Sequence, residues 1–342
     1  MAPRLRSPGP ARTMEPMHDD VGGGPVLLAL EAAAVTREHI ERIAALLPGR
    51  EILVGTGADQ AGRDHEGTEI VVGSLPPERV LALPRLRWYQ QWAAGADWLV
   101  DWPQAADRDF LLTSASGIAA AVVVEQAFGY VLSMTRRLRD AWSAQRERAW
   151  RKQPPDRYAE LAGKTLLVAG LGAIGSRAVR VAAGFDLHVL GVRRRPELPC
   201  AGVERVAGPD ELMAMLPEAD VVLSALPSTR ETGHFFAAEA FARMKRGAIF
   251  VSVGRGQVVD QAALVAALTS GHLAGAGLDV YEREPLPAES PLWTVESAIL
   301  TPHIGAAFPA RFERTMALFL DNLRRYTAGE PLRNLVDKRR GY

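Results

Sequence analysis

The stretch Thr165-Leu-Leu-Val-Ala-Gly-Leu-Gly-Ala-Ile-Gly175 constrains the fold of this chain more than any other. An apolar run ends in Gly170, Gly172 and Gly175, and a helix-compatible segment, Ser176 to Ala183, follows. In a strand–turn–helix that receives a pyrophosphate, each glycine has its own task. The first makes the tight turn and the second admits the phosphates against bare backbone. The third lets the helix pack close to the strand, so that its first N–H groups and its dipole face the anion. Glycine-rich loops are common and most bind nothing, but this one lies between a strand and a helix, the context the motif requires. It is read as a dinucleotide site, with Leu171, Ala173 and Ile174 completing the loop.

A chain of 342 residues has room for two domains with sizeable cores. Lys+Arg and Asp+Glu are both 40, so no global field draws the molecule to nucleic acid or to a membrane surface. The single cysteine, Cys200, can form no internal disulfide, which suits a reducing cytoplasm, the expected location. No run approaches the roughly 18 apolar residues of a membrane span. Residues 1–24 carry Pro, Gly and Arg without a hydrophobic period or a signal-peptide core, and are expected to be a disordered leader. An over-extended start, with Met14 or Met17 as the true beginning, is the other reading. His18 lies there beside Asp19 and Asp20, and no metal site is expected in it or elsewhere.

From Val26 onward short apolar runs alternate with helical patterns, the signature of a parallel α/β sheet. Strands are expected at Val26–Leu30, Glu51–Val54, Glu69–Val72, Leu86–Gln90 and Phe110–Thr113, with helices at Thr36–Leu47, capped by Thr36, and Pro77–Leu83. This first unit has no phosphate loop. Its turn Ala93-Ala94-Gly95 could offer backbone N–H groups to a carboxylate, although on local grounds a plain strand-end turn is the stronger reading. One long helix is expected from Gly117 to about Asp140, and the basic segment that follows, with Trp142 and Trp150, reads as a solvated arm or subunit contact. From Thr165 to Leu300 about six strands are expected, enough for a full doubly wound dinucleotide domain.

In an NAD-preferring site the second strand of that domain ends in an acidic residue that holds the ribose 2′-OH. Here Arg193, Arg194 and Arg195 stand in its place, 18 to 20 residues past Gly175. Guanidinium groups grip a 2′-phosphate that a carboxylate would repel, so NADP(H) is the expected cofactor. Ligands of such sheets bind beyond the carboxyl ends of the strands. The residues there are Leu226-Pro227, Gly254-Arg255-Gly256, Asp279 and Thr301-Pro302-His303. Arg255 could clamp the carboxylate of a 2-oxo acid and polarise its carbonyl. His303 could give the proton that the carbonyl oxygen needs as hydride reaches its carbon. Glu284 could accept from the other ring nitrogen and fix the tautomer. Taken singly, each of these residues has a bland structural reading; their shared place at strand ends is what joins them. His39, His65, His188, His234 and His272 have no such setting.

At these residues the sequence resembles the D-isomer-specific 2-hydroxyacid dehydrogenase family, from about Leu86 to Gly329. Val253-Gly-Arg-Gly-Gln-Val-Val-Asp260 is similar to the family's arginine segment, and Gly275-Ala-Gly-Leu-Asp-Val-Tyr-Glu-Arg-Glu-Pro-Leu-Pro287 to its glutamate segment. Ser290-Pro-Leu-Trp293 and Leu300-Thr-Pro-His-Ile-Gly305 resemble the stretch that ends in the acid histidine, and Leu226 to Thr232 the loop beneath the cofactor. The resemblance implies Arg255, Glu284 and His303 as the catalytic set and Asp279 as a partner of the nicotinamide carboxamide. Leu226, Pro227, Thr232, Val253, Gly254, His303 and Gly305 would line the cofactor, and the backbone of Ala94 and Gly95 would hold the substrate carboxylate.

It also implies two Rossmann-like, doubly wound parallel-sheet domains with a cleft between them. A discontinuous substrate domain (25–116 plus 308–342) would flank an inserted dinucleotide domain (117–307), in a homodimer formed through the cofactor domains. Ser114 stands at a hinge position where Asn is common in the family, and Arg193 stands where NAD-dependent members carry Asp, as in NADPH-using glyoxylate/hydroxypyruvate reductases. NAD(H) stays possible as a second cofactor. The expected activity is reduction of small 2-oxo acids to D-2-hydroxy acids. The alternatives are a non-catalytic dinucleotide-sensing protein of the corepressor type, or an enzyme specialised for branched or aromatic 2-oxo acids with a pocket shaped by Trp92, Trp150 or Trp293.

Overall fold

The computed structural model describes residues 23–56 and 66–342. His18, His65 and, apart from Gly23 and Gly24, the expected leader lie outside the described residues. The chain divides into two compact units. The first comprises the residues up to Ala115 together with Phe312–Arg339, and the second comprises Ser116–Arg311 with Arg340–Tyr342. The last three residues therefore belong to the second unit.

The first unit begins β1 (Val26–Ala29), α1 (Arg37–Leu46), β2 (Ile52–Val54), β3 (Ile70–Gly73), α2 (Pro77–Ala82), β4 (Trp88–Gln91), α3 (Trp98–Asp101) and β5 (Leu111–Thr113). The strands pair in parallel in the order β2-β1-β3-β4-β5. A parallel sheet is covered on both faces, and its side chains alternate between them. Val26, Leu28, Ile70, Val72 and Trp88 point into one core; Leu27, Ala29, Val71, Tyr89 and Leu112 point into the other. Thr36 caps α1 as its sequence suggests, its hydroxyl accepting the His39 N–H at 3.3 Å while His39 Nδ1 accepts the Thr36 N–H at 3.1 Å.

The second unit opens with α4 (Ala120–Thr135) and α5 (Leu138–Arg146). The single long helix expected here is two, because Arg137 takes a left-handed φ of +54° between them. Next come β6 (Thr165–Ala169), α6 (Ala173–Ala183), β7 (His188–Val192), β8 (Arg205–Ala207), α7 (Leu212–Met215), β9 (Val221–Ser224) and α8 (Ala238–Arg243). The unit continues with β10 (Ile249–Ser252), α9 (Gln261–Thr269), β11 (Gly275–Leu278) and β12 (Ala298–Leu300). The sheet is parallel throughout, in the order β12-β11-β10-β9-β6-β7-β8. It has seven strands where the sequence suggested about six. The extra one, β8, is a three-residue edge strand whose first residue is exposed, so no apolar run announces it.

Leu167 and Ala169 of β6 face one core and Leu166 and Val168 the other. Strand order reverses between β6 and β9, which is where a doubly wound sheet opens its ligand crevice. The last helix, α10 (Arg311–Thr327), belongs from Phe312 onward to the first unit. It packs Phe319 and Tyr326 against the Trp88 ring, with centroids 5.5 and 5.2 Å apart. Asn322 Nδ2 donates to Gln90 Oε1 at 3.1 Å, an oxygen that also receives the Thr113 hydroxyl.

Candidate active site

The glycine loop has the local geometry that its three tasks require. Gly170 adopts φ +101°, and a Cβ there would come within 2.8 Å of the Ala225 carbonyl at the end of β9. That approach brings the two switch-point strand ends together. A Cβ on Gly175 would overlap the Gly170 carbonyl and press on Val168, so only glycine lets α6 lie this close to β6. Around Gly172 a Cβ would meet nothing, which is the open side where a pyrophosphate fits. Gly172 is the N-cap of the eleven-residue α6, and no side chain caps that helix. The first amides of α6 are thus offered to an anion together with the helix dipole. Leu171 is buried and Ile174 half-buried in the adjoining core, while Ala173 begins the helix.

At the end of β7, Arg193 donates to the Leu198 carbonyl at 3.5 Å. Arg194 is ion-paired with Glu231 at 2.5 Å. Opposite them lies the loop after β9. Thr232 Oγ1 donates to the Pro227 carbonyl at 2.7 Å and accepts the Thr229 N–H at 2.9 Å. The Thr232 hydroxyl therefore braces the loop from within. Gly254 follows β10 and Val253, and a Cβ on it would overlap the Leu226 carbonyl; one on Gly256 would overlap that of Tyr281. The two glycines flanking Arg255 are thus sites of backbone-on-backbone packing. They put the intervening arginine at the strand end in an extended conformation (φ −138°), its Nη1 donating to the Gly254 carbonyl at 2.8 Å.

His303 and Glu284 meet. The His303 Nδ1 and Glu284 Oε2 are 2.6 Å apart, and both side chains remain partly exposed. Glu284 Oε1 accepts the Tyr281 N–H at 3.0 Å, so the carboxylate is anchored on one oxygen and faces the imidazole with the other. A carboxylate on Nδ1 accepts its proton and leaves Nε2 as the reactive nitrogen.

His303 has a left-handed φ of +52°, a conformation that its surroundings must enforce. Buried Asp279 does so. Its Oδ1 accepts the Thr301 hydroxyl at 2.5 Å and the Ile304 N–H at 2.9 Å, and its Oδ2 accepts the Gly305 N–H at 2.8 Å. The three hydrogen-bond partners of the Asp279 carboxylate all lie in the turn that carries His303. Three residues that pattern alone did not single out complete this support. Tyr130 of α4 is hydrogen-bonded to the Thr301 hydroxyl, and Gln126 Nε2 donates to the Tyr130 hydroxyl at 3.1 Å. The Tyr281 hydroxyl donates to the Leu278 and Thr301 carbonyls. Burial pushes the hydroxyl pKa values of Tyr130 and Tyr281 upward, so both remain donors at neutral pH.

In the first unit, Ala94 is exposed and Gly95 half-buried just past β4. The Gln91 side chain, another residue missed by motif, holds this turn: its Nε2 donates to the Ala93 and Gly95 carbonyls at 3.1 and 2.6 Å. Ser114 and Asn334 are hydrogen-bonded to each other's backbone, the Ser114 N–H to the Asn334 carbonyl at 3.1 Å and Asn334 Nδ2 to the Ser114 carbonyl at 3.2 Å. The other described histidines have structural partners: His39 with Glu313, His188 with Glu204, His234 with Glu282, and His272 with the Met244 carbonyl. Trp92 packs on Phe312, Trp150 is almost fully exposed, and Trp293 hydrogen-bonds the Pro287 carbonyl. Among the described residues no group of three His, Cys, Asp or Glu side chains could hold a metal ion, and no helix is long and apolar enough to cross a membrane.

Residues 128–305 match the family model described as D-isomer specific 2-hydroxyacid dehydrogenase, NAD binding domain. The chain belongs to this family. It is accordingly an oxidoreductase built on two parallel-sheet α/β units. A glyoxylate reductase of Korarchaeum cryptofilum is 36% identical over 263 residues, covering 75% of this chain and 78% of that protein. A D-isomer specific 2-hydroxyacid dehydrogenase from Xanthobacter autotrophicus Py2, solved with NADPH and MES, superposes with a TM-score of 0.79 at 32% identity, covering 94% of this chain and 100% of that one. An NADPH-dependent glyoxylate/hydroxypyruvate reductase of Sinorhizobium meliloti, solved with NADP and sulfate, gives 0.78 at 28% identity, with 93% and 100% covered. Within the dehydrogenase family, the glycine loop of this chain fits a dinucleotide by the open space at Gly172 and the uncapped start of α6.

Proposed function

We propose that this dehydrogenase reduces small 2-oxo acids such as glyoxylate or hydroxypyruvate to D-2-hydroxy acids, with NADPH preferred to NADH. The observation that carries the reading is the His303–Glu284 pair, 2.6 Å apart and held by a turn clamped by Asp279, in the same unit as Arg255, which follows β10 by three residues. The nicotinamide, when bound, supplies the hydride that adds to the carbonyl carbon. His303 delivers a proton from Nε2 to the carbonyl oxygen, and Glu284 steadies the imidazolium from the Nδ1 side. Arg255 binds the carboxylate and carbonyl oxygens through its guanidinium fork and polarises the carbonyl. Ala94 and Gly95 contribute backbone N–H groups to the substrate carboxylate.

On the cofactor side, Gly170 to Gly175 receive the pyrophosphate and Arg193 with Arg194 the 2′-phosphate. Leu226, Pro227, Thr232, Val253, Gly254 and Gly305 frame the remaining surface. Asp279, besides bracing His303, would meet the carboxamide. The arginines support NADPH because the three residues that follow β7 are arginines, where an NAD-preferring site carries the acid that holds a ribose 2′-OH. The NADPH- and NADP-bound relatives agree with this preference.

We also propose a homodimer through the second unit. Exposed Leu138, Trp142 and Trp293 line a groove of about 510 Å³ there, an apolar surface of the kind subunit contacts cover. A cytoplasmic location agrees with the single, unpaired Cys200.

The test is NADPH and NADH oxidation by the purified protein with glyoxylate, hydroxypyruvate, pyruvate, and branched and aromatic 2-oxo acids, with the chirality of chiral products determined. NADPH-dependent turnover of the small acids, with D products, is expected. Turnover of only the large acids, or preference for NADH, would refute the proposed specificity.

A further inference from the structure

The function proposed above leaves the final residues of the sequence without a role, yet Arg340, Gly341 and Tyr342 join the dinucleotide unit. Gly341 is buried at φ +79°, and a Cβ on it would touch Thr229 Cγ2 at 4.0 Å. It therefore lies against the same loop that Thr232 braces. Beyond it, the Tyr342 ring lies under the Arg194 guanidinium, whose central carbon is 4.5 Å from the ring centroid. The edge of that guanidinium is held elsewhere, by the Glu231 carboxylate at 2.5 Å. One arginine thus has a face covered by an aromatic ring from the tail and an edge covered by a carboxylate from the loop after β9.

These two contacts act differently on an incoming phosphate. A guanidinium binds phosphate through its in-plane N–H groups, while its face is free to stack. Stacking on Tyr342 therefore orients the fork and removes none of its donors. Glu231 instead uses the donors a phosphate needs. It is 72% exposed, so its pairing with Arg194 is of the weak, solvent-screened kind that a doubly charged phosphate can displace.

We propose that Tyr342 and Glu231 are positioning residues for a nucleotide 2′-phosphate. Tyr342 holds Arg194 ready to bind it, and Glu231 occupies the arginine edge until the phosphate replaces it. The proposal rests on the reading of Arg193 and Arg194 as the 2′-phosphate ligands. It places part of the cofactor preference in the tail, about 150 residues from the arginines it serves.

Binding of NADPH, NADH, 2′,5′-ADP and 5′-AMP to the full chain, read by calorimetry, tests it without reference to turnover. Tyr342→Ala should weaken NADPH and 2′,5′-ADP by about two- to fivefold and leave NADH and 5′-AMP unchanged. Tyr342→Phe should behave as the natural chain does, since the ring is kept. Glu231→Gln should tighten NADPH and 2′,5′-ADP by about two- to fivefold, again with NADH unmoved. Equal losses for both cofactors in Tyr342→Ala, or no loss, would overturn the role of the tail. Arg194→Ala separates the two levels of the argument. If it weakens NADPH selectively while Tyr342→Ala does not, only the tail proposal fails. If it leaves the NADPH to NADH ratio unchanged, the 2′-phosphate reading of Arg194 fails and the tail proposal falls with it.

Discussion

Replacing Asp279 by Asn would remove a charge while nearly conserving shape, and the structure sets what that costs. Asp279 is 3% exposed, and its two oxygens accept three hydrogen bonds from the turn 301–305. Gly305 is pressed so close that a Cβ on it would stand 2.7 Å from Asp279 Oδ2, so the turn cannot back away without breaking register. An asparagine keeps one carbonyl oxygen. Whichever way its amide faces, an NH2 group opposes either the Ile304 or the Gly305 N–H, donor against donor.

The loss is one hydrogen bond to a charged acceptor, about 1.5–3 kcal/mol, together with a buried donor left unsatisfied, about 1–3 kcal/mol. About 3–5 kcal/mol is expected, concentrated in the turn that holds His303 at its positive φ. The direct assay is native-state hydrogen exchange at the amides of Ile304 and Gly305. A local loss of 3 kcal/mol accelerates exchange more than about a hundredfold. Acceleration below about tenfold at both amides would refute the view that the carboxylate maintains this turn.

Other perturbations probe the remaining links. His303→Ala should cut turnover by about 10²- to 10⁴-fold while NADPH binding persists, and Glu284→Gln should cost about ten- to a hundredfold; a rate unaffected by the first removes His303 from the reaction. Gly175→Ala drives a methyl group into the Gly170 carbonyl and should weaken dinucleotide binding at least about tenfold, with about 1–3 kcal/mol of lost stability in urea unfolding. In the first unit, burial pushes the Tyr89 hydroxyl up to about 12, an effect partly opposed by the Leu75 N–H. Its raised folded-state value means that the contribution is complete below about pH 10 and is lost as the pH rises through about 12, roughly 3 kcal/mol in all. Urea unfolding at pH 9 and 11 should show this alkaline loss, and Tyr89→Phe should flatten it.

Much of the fold could be read in the sequence because it is written locally. The strand positions follow from short apolar runs, and the pyrophosphate turn from three glycines that stand together within six residues of sequence. The break at Arg137 was not legible, because a left-handed arginine carries neither of the usual helix-stopping residues, Gly or Pro. Nor was β8, where Arg205 is exposed and only Ala207 is buried.

At the site, the reacting types stood at strand ends and could be named, but their supports could not. Tyr130 lies 171 residues from Thr301, in the middle of an apolar helix where an aromatic residue reads as core. Asp279 was visible at a strand end; that its partners would include the two amides that follow His303 depends on how the β12 turn folds back, which no spacing encodes. The same holds for Tyr342, whose contact with Arg194 depends on where the last residues of the tail come to rest.

The helix α10 completes a core begun nearly three hundred residues earlier, since Val26 and Leu28 of β1 share it with Phe319 and Leu323. This ordering bears on how the molecule is made. Domains fold as units while the chain emerges from the ribosome, ordinarily with the amino-terminal one leading. Here the first strands must wait on the ribosome with one face of their sheet uncovered, because Met316, Phe319 and Leu323 have yet to be synthesised. Residues 116–311 are all synthesised before them. The dinucleotide unit is accordingly the one able to close first, and the amino-terminal sheet is the part of the nascent protein most in need of protection from aggregation until α10 has been made.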